Sequence, residues 1–290
     1  MGLSHVISLK TDINSNNSWS DLTFQSDQRK ATINGITVWL HTPLQKINRK
    51  WSITQNDWRT LIDPILRPEK HLQGQRARVI VLDPGHGGKD QGALGIKGTQ
   101  EKGVVLQLAK RIQIHLANAG FNVYLTRTGD RFIELKKRAE KAKAWQADVF
   151  VSIHINAAKN IKAHGIETYI LPALGYPATS STSMKKRHGT DFSGNTFNGN
   201  GPNTLLGYYL QRGLLKQTQA NDRGIRRARF AVLKAAPCPA ALVECGFLSN
   251  VSEEKRIDTD GYQKRIALGI SKGIIDYANV IKKEGLEQKD

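Results

Sequence analysis

Four side chains in this sequence are of the kinds that build a hydrolytic metal site. His86 stands in Leu82-Asp83-Pro84-Gly85-His86-Gly87-Gly88, Glu101 in Thr99-Gln100-Glu101-Lys102, and His154 in Ser152-Ile153-His154-Ile155-Asn156. Two imidazoles and one carboxylate are a ligand set for a catalytic zinc, because three protein ligands leave the fourth tetrahedral position open to water. Glu244, far downstream in Leu242-Val243-Glu244-Cys245-Gly246-Phe247, is a spare carboxylate that can serve such a site as general base.

Each of the four also has a plainer reading. A histidine in a glycine turn can be an ordinary loop residue, although Gly-His-Gly-Gly is neither a phosphate-binding loop nor a dinucleotide fingerprint. An acid in the first turn of a helix complements the helix dipole, a contribution of about 0.3–1 kcal/mol, and Glu101 alone says no more than that. His154 alternates with Ser152 and Asn156 on one face of an apolar strand, where a hydrogen-bonded core histidine is equally at home. Glu244 follows the apolar run Ala240-Ala241-Leu242-Val243, where an unpaired charge is expensive and a salt bridge to Arg226, Arg227, Arg229 or Lys234 would relieve it. Taken together the readings change. The loop from Gly88 to Gly98 can return the chain so that Glu101 meets His86, and a polar triplet on a central strand needs partners of this kind.

The elements that must position these residues follow from periodicity. Over residues 1–75 the chain reads as a small β-rich unit: strands at 22–25, 30–33 and 36–40, an Asn34-Gly35 hairpin turn, and a short helix capped by Thr54 with Asp57 at its third position and ended by Pro64. From Arg78 strands and helices alternate, the mark of an α/β domain spanning 76–282 with a charged tail at 283–290. Strands are expected at 78–83, 122–127, 148–155, 165–171, 229–234 and 240–245. Helices are expected near 100–119, 133–146, 204–219 and 260–280. His86 then lies past the C-terminal end of a central strand, the edge at which open α/β sheets bind ligands. Pro172 to Pro202 is polar and without apolar periodicity, and is expected to be a mobile lid carrying the basic cluster Lys185-Lys186-Arg187.

The net charge of +18 draws the protein toward polyanions, and only +3 of it falls in the first 75 residues. No zinc-finger spacing, aromatic RNA-binding signature or basic-region heptad points to nucleic acid. Cys238 and Cys245 lack the paired spacing of a redox or metal motif and read as buried free thiols. No apolar run is long enough to span a bilayer, and the start Met1-Gly2-Leu3-Ser4-His5 lacks the regions of a secretion signal, so an exported form would have been trimmed of its leader.

Val81-Leu82-Asp83-Pro84-Gly85-His86-Gly87-Gly88, the Glu101-Lys102 pair, Ser152-Ile153-His154-Ile155-Asn156 and Val243-Glu244-Cys245-Gly246-Phe247-Leu248-Ser249-Asn250 occur in an order that resembles the zinc-dependent N-acetylmuramoyl-L-alanine amidases of bacterial cell walls, the amidase 3 family. The resemblance runs from about Arg78 to Tyr277. It implies a twisted mixed sheet flanked by helices, similar to phosphorylase and hydrolase folds, with the small β-rich unit outside it. It further implies zinc held by His86, Glu101 and His154, with Glu244 as catalytic acid/base, and cleavage between N-acetylmuramic acid and L-alanine of peptidoglycan. Peptidoglycan or muropeptides, and anionic wall polymers, are the implied partners, and the periplasm or cell envelope the implied location. A zinc peptidase acting on wall peptides and a wall-binding module with a weak site are the competing readings. Arg127, Asp130 and Arg138 fit the pattern as an ion-pair network fixing a loop, and Asn156 is expected to orient His154 or face the substrate.

Overall fold

A computed structural model of the chain describes residues 6–12, 19–180 and 201–283. Its N-terminal strands β1 (Val6–Asp12), β2 (Trp19–Gln25), β3 (Lys30–Ile33) and β4 (Ile36–Trp39) are each antiparallel to the one before. The β3–β4 turn is made by Asn34 and Gly35 at φ 49° and 78°, the positive pair that a type I′ turn requires. A separate ribbon, β5 (Gln45–Ile47) with β6 (Lys50–Ser52), leads into the helical segment. There the Thr54 hydroxyl accepts from the Asp57 N–H and opens α1 (Gln55–Asp57), as its sequence predicts. Pro64 does not end the helix. A π-helical turn, Trp58–Ile62, closes on the Asp63 N–H and passes into α2 (Asp63–Leu66), so that Pro64 falls in a first turn, where its missing N–H is not needed.

Beyond a short 3-10 turn at Pro68–Lys70 the alternating part begins. It comprises β7 (Val79–Pro84), α3 (Glu101–Asn118), β8 (Asn122–Leu125), α4 (Leu135–Ala144), β9 (Val149–Asn156), β10 (Ile166–Ile170), α5 (Gly201–Thr218), β11 (Asp222–Arg227), α6 (Ala231–Ala235), β12 (Ala240–Phe247), α7 (Val251–Ile257) and α8 (Asp260–Lys283). One sheet runs in the order β1-β2-β3-β4-β11-β10-β12-β9-β7-β8. Strands β8, β7, β9 and β12 are parallel, β10 is antiparallel to β12, and β11 is parallel to both β10 and β4. This is an α/β sheet, as the alternating pattern predicts, and a mixed one, as the family resemblance implies. The N-terminal strands are continuous with it through Val38 of β4 beside Ile225 of β11.

The sequence assigns a strand to 229–234, and the structure places a helix there instead. Phe230-Ala231-Val232-Leu233 is apolar because Val232 and Leu233 are buried in the smaller core, not because it is extended. The strand is Asp222-Arg223-Gly224-Ile225-Arg226-Arg227, whose charged composition hides it from a reading based on hydrophobic alternation. Tertiary partners satisfy those charges, as described below.

Alternation along β9 and β12 sends Val149, Val151, Ile153, Ala241 and Val243 into the main core under α3, α5 and α8. Phe150, Ala240 and Leu242 point the other way, into the smaller core under α4 and α6. Helices α5 and α8 approach closely at glycines: a Cβ on Gly213 would lie 2.4 Å from the Gly269 carbonyl oxygen, and one on Gly273 would lie 2.7 Å from that of Tyr209. Gly213→Ala is therefore expected to destabilise, since the gain of about 1 kcal/mol in helix propensity is outweighed by an overpacking cost of about 1–3 kcal/mol. Urea unfolding should show a lower midpoint with an unchanged slope.

Candidate metal centre and active site

The chain leaves β7 through Pro84-Gly85-His86-Gly87-Gly88, with His86 at φ 60° between glycines. Gly85 is required by what faces it: a Cβ there would fall 2.2 Å from the His154 ring. Two arginines satisfy the turn's buried carbonyls. Arg127 donates to Pro84 O (3.0 Å) and Gly85 O (2.7 Å), and Arg138 donates to Pro84 O (2.9 Å) and His86 O (2.8 Å). Asp83 sits beneath them, 1 % exposed, accepting from Arg138 (2.8 Å), the Thr126 hydroxyl (2.6 Å) and the Ser152 hydroxyl (2.8 Å). Arg138 is thus in a buried ion pair, Asp130 pairs with Lys102 (2.8 Å) and accepts from the Gly88 N–H (2.7 Å), and Arg127 is bound to carbonyl oxygens rather than to an acid.

The loop after Gly88 returns the chain to α3 and puts the Glu101 carboxylate, 3 % exposed, between the two histidines. Its Oε1 lies 3.1 Å from His86 Nε2 and 3.0 Å from His154 Nδ1, and also accepts from the Ile155 N–H at 3.0 Å. Oε2 accepts from the Ala93 N–H at 2.7 Å. Burial pushes this carboxyl up, yet the hydrogen bonds from His154 and His86 outweigh it and hold the group down at about 2. The imidazoles meet edge to face with centroids 4.9 Å apart. Burial alone would lower the His86 pKa; Glu101 and Asp90 reverse this and raise it.

His86, Glu101 and His154 therefore converge as their motifs suggest, each offering a ligand atom within 4.8 Å of the others, an arrangement able to hold a metal ion. The dipole reading of Glu101 accounts for none of these contacts. Sequence reasoning did not pick out Asp90, whose Oδ2 lies 2.9 Å from His86 Nδ1 and so turns Nε2 toward Glu101. The spacing His86 to Asp90 inside a glycine loop was the available signal.

Glu244 is beside His154 in the ladder, with Glu167 on its other side. The proposed salt bridge is not formed among the described residues. Arg226 turns to Glu167 (3.0 Å), Arg227 donates to Trp39 O, and Arg229 lies near Ala173 O and Tyr176 O. Glu244 Oε2 is closed off from solvent without a hydrogen-bond partner, and burial, then Glu101 and Glu167, push its carboxyl well above the usual carboxylate range. Asn156 donates not to His154 but to Glu167 Oε1 (2.9 Å), so Glu167 is a second residue the sequence did not single out. Beside the histidines opens a cavity of about 360 Å³ whose wall includes His86, Asp90, Phe132, Arg138, His154 and Phe230. Cys238 and Cys245 are free and buried. Of the polar stretch at 172–202, Lys185-Lys186-Arg187 and the rest of 181–200 lie outside the described residues, and α5 begins at Gly201.

Residues 80–276 match the family described as N-acetylmuramoyl-L-alanine amidase. The N-acetylmuramoyl-L-alanine amidase AmiA of Escherichia coli is 34% identical over 237 residues, covering 73% of this chain and 79% of that protein. AmiC of Neisseria meningitidis is 35% identical over 234 residues, covering 73% of this chain and 55% of its own length. Among solved structures, the catalytic domain of CwlV from Bacillus (Paenibacillus) polymyxa var. colistinus aligns with a TM-score of 0.58 at 33% identity, covering 70% of this chain and 99% of that one. An N-acetylmuramoyl-L-alanine amidase from Clostridium difficile 630 aligns with a TM-score of 0.58 at 35% identity, covering 71% and 98%.

Gly92 tests the convergence of the three ligands. It has φ +68°, and a Cβ there would lie 2.5 Å from Glu101 Oε2 and 2.7 Å from His86 Cδ2. Gly92→Ala is expected to weaken metal binding about 10–100-fold while leaving the far-ultraviolet circular dichroism unchanged, as measured by competition with a chromophoric chelator.

Proposed function

This chain belongs to the N-acetylmuramoyl-L-alanine amidase family, and on that footing we propose that it is a zinc enzyme cleaving the amide between the lactyl group of N-acetylmuramic acid and L-alanine in peptidoglycan. The observation that carries the reading is Glu244 Oε2, a buried carboxylate oxygen with no hydrogen-bond partner, on the strand beside His154. A structural carboxylate in that position would be paired. A general base awaiting a water molecule would not.

The residues fit zinc on the chemistry of their donors. Two imidazole nitrogens and one carboxylate oxygen face a common point, and the His86 ring is fixed from behind by Asp90, the carboxylate–histidine arrangement that holds zinc-binding imidazoles in one tautomer. When bound, zinc supplies Lewis acidity, making water ionise near neutral pH and polarising the scissile carbonyl. Everything else falls to the chain. The cavity beside the histidines receives the substrate next to the ligand set. Glu244, on the strand beside His154, takes a proton from the attacking water and passes it to the departing L-alanine nitrogen. An amine leaves poorly as an anion, so this second transfer is as necessary as the first.

The substrate places the enzyme's work in the cell envelope, and among the described residues no helix is long and apolar enough to cross a membrane. The charge of +18 favours approach to the carboxylates and phosphates of wall polymers. A peptidase acting within stem peptides is the reading to be set aside by product analysis.

Digestion of purified peptidoglycan should release peptides with a free N-terminal L-alanine and no new reducing sugar ends, detected by mass spectrometry. Chelation should abolish release and zinc should restore it. Cleavage only within the peptides would instead assign a peptidase. Glu244→Gln should keep about one zinc per chain and lose roughly 10²–10⁴ in turnover; loss of zinc in that variant would make Glu244 a ligand.

A further inference from the structure

The row of side chains that begins at His154 does not stop at Glu244. Across the sheet the ladder pairs His154 of β9 with Glu244 of β12 and Glu244 with Glu167 of β10. Directly paired residues share a face, so these three project to the same side. On the next strand, β11, the register slips: Ile166 pairs with Asp222 but Glu167 pairs with Gly224. Arg223 is the extra residue of this bulge, and the bulge re-aims its side chain onto the active-site face. Gly224 allows it, at φ +85° and with Thr37 so near that an added Cβ would lie 2.6 Å from its methyl carbon. Arg226, paired with Tyr169, lies on the same face by ordinary alternation.

The two arginines are held by one carboxylate. Arg223 Nε lies 2.9 Å and Arg226 Nε 3.0 Å from Glu167 Oε2, while Glu167 Oε1 is occupied by Asn156 (2.9 Å) and the Tyr169 hydroxyl (2.9 Å). Each guanidinium also lies against an aromatic ring, Arg223 on Phe247 at 4.6 Å and Arg226 on Trp39 at 4.7 Å. Trp39 is fixed in turn by donating from Nε1 to Arg223 O (2.8 Å). Attachment through Nε leaves most of the forked ends open: Arg223 Nη1 reaches the His164 carbonyl oxygen at 3.5 Å, and among the described residues nothing accepts from Arg226 Nη1 or Nη2, or from Arg223 Nη2. The side chains are 26% and 19% exposed, reachable but with little freedom. Two cations share one anion, so the cluster carries a net positive charge on the face of the sheet that bears His154 and Glu244. A guanidinium fork with open Nη atoms matches a carboxylate in plane and spacing.

We propose that Arg223 and Arg226, braced by Glu167 and by Trp39 of the N-terminal unit, form the subsite that binds a stem-peptide carboxylate two to three residues beyond the bond that is cut. The offset follows from geometry: β12 to β11 is two strand spacings, about 10 Å, and an extended peptide advances about 3.3–3.6 Å per residue. The inference rests on the amidase reading and adds that the strand unit outside the family match supplies, through Trp39, part of the brace that holds the subsite.

The test uses the zinc-loaded full chain and synthetic N-acetylmuramoyl peptides whose carboxylates beyond L-alanine are either free or amidated. Wild type is expected to prefer the free acid by about tenfold or more in kcat/KM. Arg226→Gln and Arg223→Gln should bring that ratio toward one, with the loss on the acid substrate exceeding the loss on the amide. Arg226→Lys should fall between, and Trp39→Leu should lower the ratio through KM rather than kcat. Equal losses on both substrates would assign the arginines to strand packing and overturn the proposal, as would a wild type without preference. Calorimetric binding of the unlinked stem peptides, free and amidated, separates the two claims. A protein that cleaves neither substrate yet binds the acid peptide about tenfold more tightly keeps the subsite and loses the amidase reading; one that cleaves both and discriminates in neither assay keeps the amidase reading and loses the subsite.

Discussion

The turn that leaves β7 has to bury the carbonyls of Pro84, Gly85 and His86 while holding His86 in the left-handed region, and the guanidinium groups of Arg127 and Arg138 satisfy those carbonyls. Asp83 provides the counter-charge that lets Arg138 be buried there at all, and it is itself saturated by Thr126 and Ser152. A buried pair of this kind contributes little net stability, because desolvating both charges offsets most of their attraction. What it does is fix a backbone that sterics disfavour, at a cost of about 1–3 kcal/mol for a residue so held. The direction of the His86 ring, the return of the loop to Glu101 and the room left at Gly85 for His154 all follow from that one arrangement.

Around it the electrostatics divide the carboxylates. Glu101 is buried among donors and stays ionised; Glu244 is half-buried, with Oε2 closed off from solvent, and burial and the neighbouring acids push its carboxyl up. Two glutamates, one at the start of α3 and one on β12, thus acquire opposite tendencies from their surroundings alone. Glu167 completes the row, with two arginines paired to its carboxylate next to Glu244.

The parts of this site that could be read from the sequence were those whose residue types carry the message. Histidine among glycines, histidine on an apolar strand and an isolated acid after Ala240-Ala241-Leu242-Val243 each contradict their local context, and the structure brings them together. Asp90 and Glu167 contradict nothing locally: one is an acid in a polar loop, the other an acid at a strand's end, and their meaning lies in what they touch. The same holds for elements. Strands β7, β9 and β12 open on apolar runs and announce themselves, whereas four of the six residues of β11 are charged and it becomes a strand only because Asp222 accepts from the Thr37 N–H and Glu167 receives its arginines. Pro64 misled for a related reason, since a π-helical turn had already moved the hydrogen-bond pattern that proline would have broken.

The pairing of β4 with β11 also has a consequence in time. Trp39 and Arg223 are 184 residues apart in the chain, so during synthesis the N-terminal hairpins exist long before the strand they dock against has been made. Until then β4 presents an open row of backbone donors and acceptors, the template on which a neighbouring nascent chain could add a strand. Contacts between such distant segments close late and slowly. The ten-stranded sheet is therefore sealed in its middle at the end of folding, and the hazard of mispairing falls on the interval between translation of residue 39 and translation of residue 227.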